Sequence, residues 1–110
     1  MEPDLYFISM AARLLEMHPQ TLRKYERLGL IRPTRTIGSM RLYSREELER
    51  LRLIKHLVDE AGINLAGVQR ILSIAEAVQR LRVLVQEPAR PDARRRMALE
   101  VKRLEEMVGL

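Results

Sequence analysis

The sequence predicts a mainly α fold: two short helices meeting at a tight turn, a small two-stranded wing, and further helices filling the C-terminal half. Three observations carry this prediction. Two helical segments, opened by Ser9 and by Pro19, are separated only by Met17 and His18. Residues 30–43 lose helical spacing and carry Pro33 and Gly38-Ser39 between short runs of apolar and basic residues. From Ser44 onward, apolar residues recur every three or four positions almost to the end.

Composition narrows the functional classes. A chain of 110 residues fits one domain, or a small domain with an appendage. A core of about 70 residues is marginal, so oligomerisation is expected as a supplement. The net charge of +5 favours a polyanionic partner. That charge is unevenly spread: residues 1–45 carry net +4, residues 46–87 net −1 and residues 88–110 net +2. The absence of cysteine excludes disulfides, thiolate metal sites and thiol redox sensing. Two histidines make no zinc site. There is no nucleophile–base pair, no glycine-rich phosphate loop and no His/carboxylate cluster of metal-ligand spacing, so neither an enzyme nor a cofactor is expected. No apolar run reaches membrane-spanning length, and Glu2, Pro3 and Asp4 contradict a basic signal-peptide start. The expectation is a cytoplasmic, nucleoid-associated protein.

In chain order, Ser9 is a good N-cap hydroxyl for a helix over MAARLLEM. Ala12 and Leu15 are placed to pack against Leu22 of the next helix, and His18 sits in the turn or caps that helix. Pro19 suits a first helical turn, where its missing N–H would be unpaired anyway. Gly29 suits the left-handed position just past the end. Helical spacing sends Leu22 and Glu26 to one side and Gln20, Lys24 and Arg27 to the other, with Arg23 on its flank. Amides, ammoniums and guanidiniums of this kind pair with purine edges and phosphates in a duplex groove. An ordinary solvated helix face carries the same residue types, so the neighbours decide the matter.

Leu30-Ile31-Arg32 reads as a short strand that Pro33 confines to an end or edge, Gly38-Ser39 as a hairpin turn, and Arg41-Leu42-Tyr43 as the return strand. This wing carries Arg32, Arg35, Arg41 and Tyr43. Leu42, pointing opposite to Arg41 and Tyr43, is its expected anchor. Two short helices about a tight turn followed by a basic wing make a winged helix-turn-helix.

Ser44 and Glu47 form a capping box that starts a helix with a stripe of Leu48, Leu51, Ile54 and Val58, widened by Leu57 and Ala61 and ended by Gly62. Asn64 caps the next, with Leu65, Val68, Ile71 and Leu72 inward. The stripe continues through Ala75, Val78, Leu81 and Val85, as one long helix or as two with a bend near Ser73. Pro88 and Pro91 interrupt it, and Asp92 caps a last helix whose seam is Met97, Val101, Leu104 and Val108. A narrow seam suits coiled-coil pairing, hence a two-fold dimer; the alternative is a hairpin folding back on its own chain. The expected organisation is a DNA-contacting domain over 1–72 and a helical dimerisation region over 73–110, broken near 88–91 and paired through Val78, Leu81, Val85, Met97, Val101, Leu104 and Val108. No small-molecule pocket is legible beyond residue 72.

The run from Ser9 to Ser44 resembles the start of the MerR family of transcriptional regulators. The resemblance rests on T-L-R-x-Y-E-R-x-G-L-I, then P-x-R, then G-x-x-R-L-Y, and covers roughly the first 72 residues. H-P-Q-T-L-R-x-Y-E-R-L-G-L-I-x-P-x-R-T and the later G-I-N-L-A-G-V look most like its heat-shock repressor (HspR) subgroup. The resemblance implies a homodimer reading an inverted repeat in double-stranded DNA. Gln20, Thr21, Arg23 and Lys24 would meet bases and nearby phosphates. Tyr25, Arg41 and Tyr43 match positions that hold the sugar-phosphate backbone, Arg27 lies on the same basic face, and Arg35 would be a wing contact. Glu26, facing inward, would pair with a buried arginine or a backbone donor. The subgroup implies repression of chaperone genes with the DnaK chaperone as co-repressor. Three further readings stay open: an activator or ligand-responsive regulator of the same fold, an architectural protein that bends DNA with little sequence preference, and a protein-interaction adaptor whose basic helix serves a protein partner.

Overall fold

A computed structural model describes residues 5–110; the Glu2-Pro3-Asp4 start lies outside them. The chain divides into two compact units, the first ending at Ile63 and the second running Asn64–Leu110.

The first unit contains three strands and three helices: β1 (Leu5–Phe7), α1 (Ile8–Leu15), α2 (Pro19–Arg27), β2 (Thr34–Arg35), β3 (Arg41–Ser44) and α3 (Arg45–Lys55). Helix α1 begins one residue before Ser9, directly from strand β1, and Phe7 occupies the cap position without a side-chain hydrogen bond. Its C-cap is Glu16 in a left-handed conformation, φ 54°. Ala12, Leu15 and Leu22 are all buried where α1 meets α2. Gly29 adopts φ +76°, as its place after α2 requires.

The wing departs from expectation in three ways. It is a three-stranded antiparallel sheet in the order β1-β3-β2, with Tyr6 opposite Tyr43 and Arg35 opposite Arg41. A lone hairpin is barely stable in water, and β1 supplies the third strand. Second, β2 begins at Thr34, after Pro33; Leu30 and Ile31 leave the sheet and are buried in the core instead. Third, the facing of β3 is reversed. Arg41 and Tyr43 share the inner face, where Arg41 reaches Glu26 of α2 and Tyr43 is fully buried, while Leu42 is only half-buried. Strand alternation allows one of the two sets inside. An aromatic ring with a larger apolar area, joined to a charge pair, outcompetes a single leucine.

Ser44 caps α3 as its sequence foretold: its hydroxyl accepts from the Glu47 N–H at 3.1 Å. The helix continues for one π-helical turn, His56–Glu60, closed by the Ala61 N–H on the His56 carbonyl at 3.0 Å. The buried row is Leu48, Leu51, Ile54 and Leu57; Val58 is half-buried and Ala61 exposed. The widened last turn ends the regular α spacing on which the Val58 and Ala61 expectations rested.

The second unit is an antiparallel pair, α4 (Leu65–Gln86) and α5 (Ala93–Val108), packed along their length. Asn64 Oδ1 accepts from the Gly67 N–H at 2.9 Å and opens α4, which runs through Ser73 without interruption. Val68, Leu72, Ala77 and Leu84 are its buried residues, with Ala93 and Glu100 on α5. The helices therefore form the intramolecular hairpin. Val78, Val85, Val101 and Val108 stay exposed, and Leu81, Met97 and Leu104 are half-buried. Among the described residues, no helix is long and apolar enough to cross a membrane.

Candidate nucleic-acid interface

Helix α2 is held by contacts at both ends. At its start the His18 ring accepts the Gln20 N–H on Nδ1 at 3.0 Å, satisfying one of the free donors of the first turn. His18 is thus the N-cap of α2. At its end the chain turns through Gly29 into buried Leu30, whose carbonyl accepts from Arg50 Nε of α3 at 2.6 Å. Lys55 of α3 donates to the Leu15 carbonyl at 2.9 Å, closing the open end of α1. These two cations link positions 20 and 40 residues apart, so no local pattern announces them. Both set the angle at which α2 leaves the core.

On that scaffold Gln20, Lys24 and Arg27 are exposed, and Thr21 and Arg23 are half-buried beside them. The opposite face buries Leu22 and Tyr25. Glu26 is neither: its side chain is 19% exposed and forms a two-armed clamp. Oε1 accepts from Arg35 Nη2 at 2.6 Å and Oε2 from Arg41 Nε at 2.5 Å. Arg35 also donates from Nη1 to the Ser39 carbonyl at 3.1 Å, tying down the wing tip. Burial pushes the Glu26 carboxyl up, but the bonds and charges of Arg41 and Arg35 outweigh it and hold its pKa below the ordinary glutamate value.

The wing arginines are therefore not free cations. Each shares its charge with Glu26 while remaining partly open to solvent, at 42% for Arg35 and 25% for Arg41. Glu26 engages only Nε of Arg41, so the guanidinium fork is not saturated by this acid. At the tip, Thr36 and Met40 close the turn backbone to backbone at 2.9 Å, with Ser39 in the left-handed conformation at φ 62°. Ile37 is fully exposed there.

Two expected contacts are displaced inward. Tyr43 has no exposed surface, and its hydroxyl is buried without a partner among the described residues; burial, reinforced by the Glu26 charge, raises its pKa. Tyr25 is buried too, and its pKa is raised by burial and then by the charge of Asp59. In this conformation both phenols serve the core beneath the helix and wing. The set that remains open to solvent is Gln20, Lys24, Arg27 and Arg35, with Thr21, Arg23 and Arg41 half-buried beside them.

Residues 6–75 match the family described as MerR HTH family regulatory protein. The chain belongs to the MerR family. It is 47% identical over 80% of its length to a Streptomyces coelicolor protein that carries the name heat shock protein HspR, covering 58% of that protein. It is 36% identical over 66% of its length to the HTH-type transcriptional regulator GlnR of Bacillus anthracis, covering 55% of it. The chain thus spans little more than half of these MerR-family relatives. A crystal structure of HiNmlR, a MerR family regulator lacking the sensor domain and bound to promoter DNA, superposes with a TM-score of 0.60. That match covers 96% of this chain and 80% of the other at 20% identity, and it shows the shared fold.

Proposed function

We propose that this MerR-family chain is a sequence-specific DNA-binding repressor of heat-shock and chaperone genes that reads an inverted repeat as a homodimer. The observation that carries the reading is the Glu26 clamp. It fixes a basic wing against a helix whose free face presents Gln20, Lys24 and Arg27. A helix and wing locked together can meet a groove and its flanking phosphates in one register. Affinity then comes largely from arginine and lysine at phosphates, and discrimination from Gln20, Thr21, Arg23 and Lys24 at base edges. The 47% identity to the HspR-named relative supports the heat-shock role and, with it, DnaK as co-repressor. The exposed apolar residues Val78, Val85, Val101 and Val108 support pairing of two copies through the hairpin.

Genome-wide binding in the source cell before and after heat shock tests the proposal. Enrichment upstream of chaperone operons that disappears on heating is the expected result. Enrichment elsewhere, or unchanged by heat, overturns the heat-shock role. Equal affinity for palindromic and scrambled duplexes at physiological salt overturns sequence-specific repression and favours an architectural role.

A further inference from the structure

The hairpin of α4 and α5 carries a feature that no sequence pattern announced: a solvent-open groove of about 500 Å³. Its apolar lining is Val83, Leu84 and Leu99, and five arginines stand around it with a single carboxylate, Glu100. The arginines are not equivalent. Arg80 and Arg103 both donate to Glu100 Oε1, at 2.9 and 3.0 Å. Arg90 and Arg96 lean on Asp92 at the neighbouring turn. Arg95 is exposed and, among the described residues, pairs with neither acid. Glu100 itself is only 6% exposed, and its second oxygen, Oε2, is buried with no hydrogen-bond partner. A buried carboxylate oxygen left unmatched is costly, and the Arg80 and Arg103 bonds to Oε1 offset that cost and hold Glu100 at the floor of the groove.

We propose that this groove is a docking site for an acidic peptide segment carrying an apolar anchor residue. The two requirements of the groove, an apolar cover and negative charge, are met together by such a segment. Its apolar side chain covers Val83, Leu84 and Leu99, and its carboxylates answer Arg95 and the outer N–H groups of the other arginines. A duplex meets only one of these, because phosphates would face the Glu100 carboxylate and the apolar lining would stay unmatched. A second copy of the same groove would set arginine against arginine.

Helical spacing also separates the groove from the apolar seam. On α4, Arg80 and Val83 lie on the opposite flank to Val78, Leu81 and Val85; on α5, Arg96, Leu99 and Arg103 lie opposite Val101, Leu104 and Val108. Two chains joined through the seam would leave both grooves open, and a monomer would carry the same site. The proposal therefore stands independently of the repressor assignment.

The test is selection of a phage-displayed library of random dodecapeptides on the full-length protein. The best enriched peptide is then labelled with fluorescein and titrated by anisotropy against wild type, Arg95→Glu and Leu99→Ser. Enriched sequences should combine Asp or Glu with a Leu, Ile or Phe. Either variant should weaken binding about tenfold or more, with unchanged circular dichroism. A second arm replaces the apolar anchor of the peptide by serine, which should abolish saturable binding. A library with no consensus, or one rich in basic residues, overturns the proposal. So does binding indifferent to both variants, or an Arg95→Glu protein that loses duplex affinity while keeping the peptide.

Discussion

Replacing Glu26 by glutamine removes the charge that joins helix α2 to the wing and leaves Arg35 and Arg41 without their shared acid. The magnitude follows from exposure. Arg41 is three-quarters buried, so its bond to Glu26 belongs with hydrogen bonds to charged groups, roughly 1.5 kcal/mol at the low end of that class. Arg35 is more than a third exposed and solvent-screened, which reduces its share to about 0.5 kcal/mol. The total is about 2 kcal/mol. For a unit of this size, 1 kcal/mol moves the melting temperature by about 4–8 °C. The variant should therefore melt about 8–16 °C lower near neutral pH by circular dichroism. The loss should also depend on pH. The folded pKa of Glu26 is lowered, so the stability it contributes is present above the unfolded glutamate value, about 4.3, and is lost as pH falls through the folded value. Wild type and variant should converge in that acidic range. Melting curves that coincide within about 2 °C at neutral pH, or a gap that persists unchanged at low pH, would refute the clamp.

Three further outcomes are expected. Lys24→Ala should relax discrimination at one position of each half-site by about 1–3 kcal/mol with little change in melting, measured by competition against mismatched duplexes. Arg41→Ala should weaken binding to all sequences alike, reduce the salt dependence by about one unit and lower the melting temperature too, because the proposed phosphate contact is also the partner of Glu26. Tyr43→Phe removes a buried hydroxyl that has no partner, so thermal stability should hold or rise by up to about 1 kcal/mol and duplex affinity should stay unchanged; a clear loss of affinity would restore Tyr43 as a contact.

The capping signals were legible because they are local. Ser44, Asn64, Pro19 and Gly29 act within one turn of their own positions, and each occupies its expected place. The inward Glu26 was legible from helical spacing, and the resemblance implied an arginine or backbone partner without saying which. Tyr43 was misplaced because alternation along a strand says which residues share a face, but not which face lies inside. Strand β1 was missed for a related reason: three residues ahead of a helix carry too short a pattern to read, and only pairing with β3 makes them a strand. The arginine groove was invisible because its residues interleave with the seam on the same two helices and converge only when α4 and α5 pack.

Local chemistry in the chain alone determined where α2, α3 and α4 start, which face of α2 is basic, the absence of cysteine chemistry and membership in a motif-defined family. Tertiary packing decided the direction in which β3 faces, the partners of Arg35 and Arg41, the buried phenols and the site on the hairpin. The reason is one of range. Caps and helical periodicity are settled over about four residues, whereas the facing of a strand and the pairing of a charge depend on side chains that folding brings from 9 to 40 positions away.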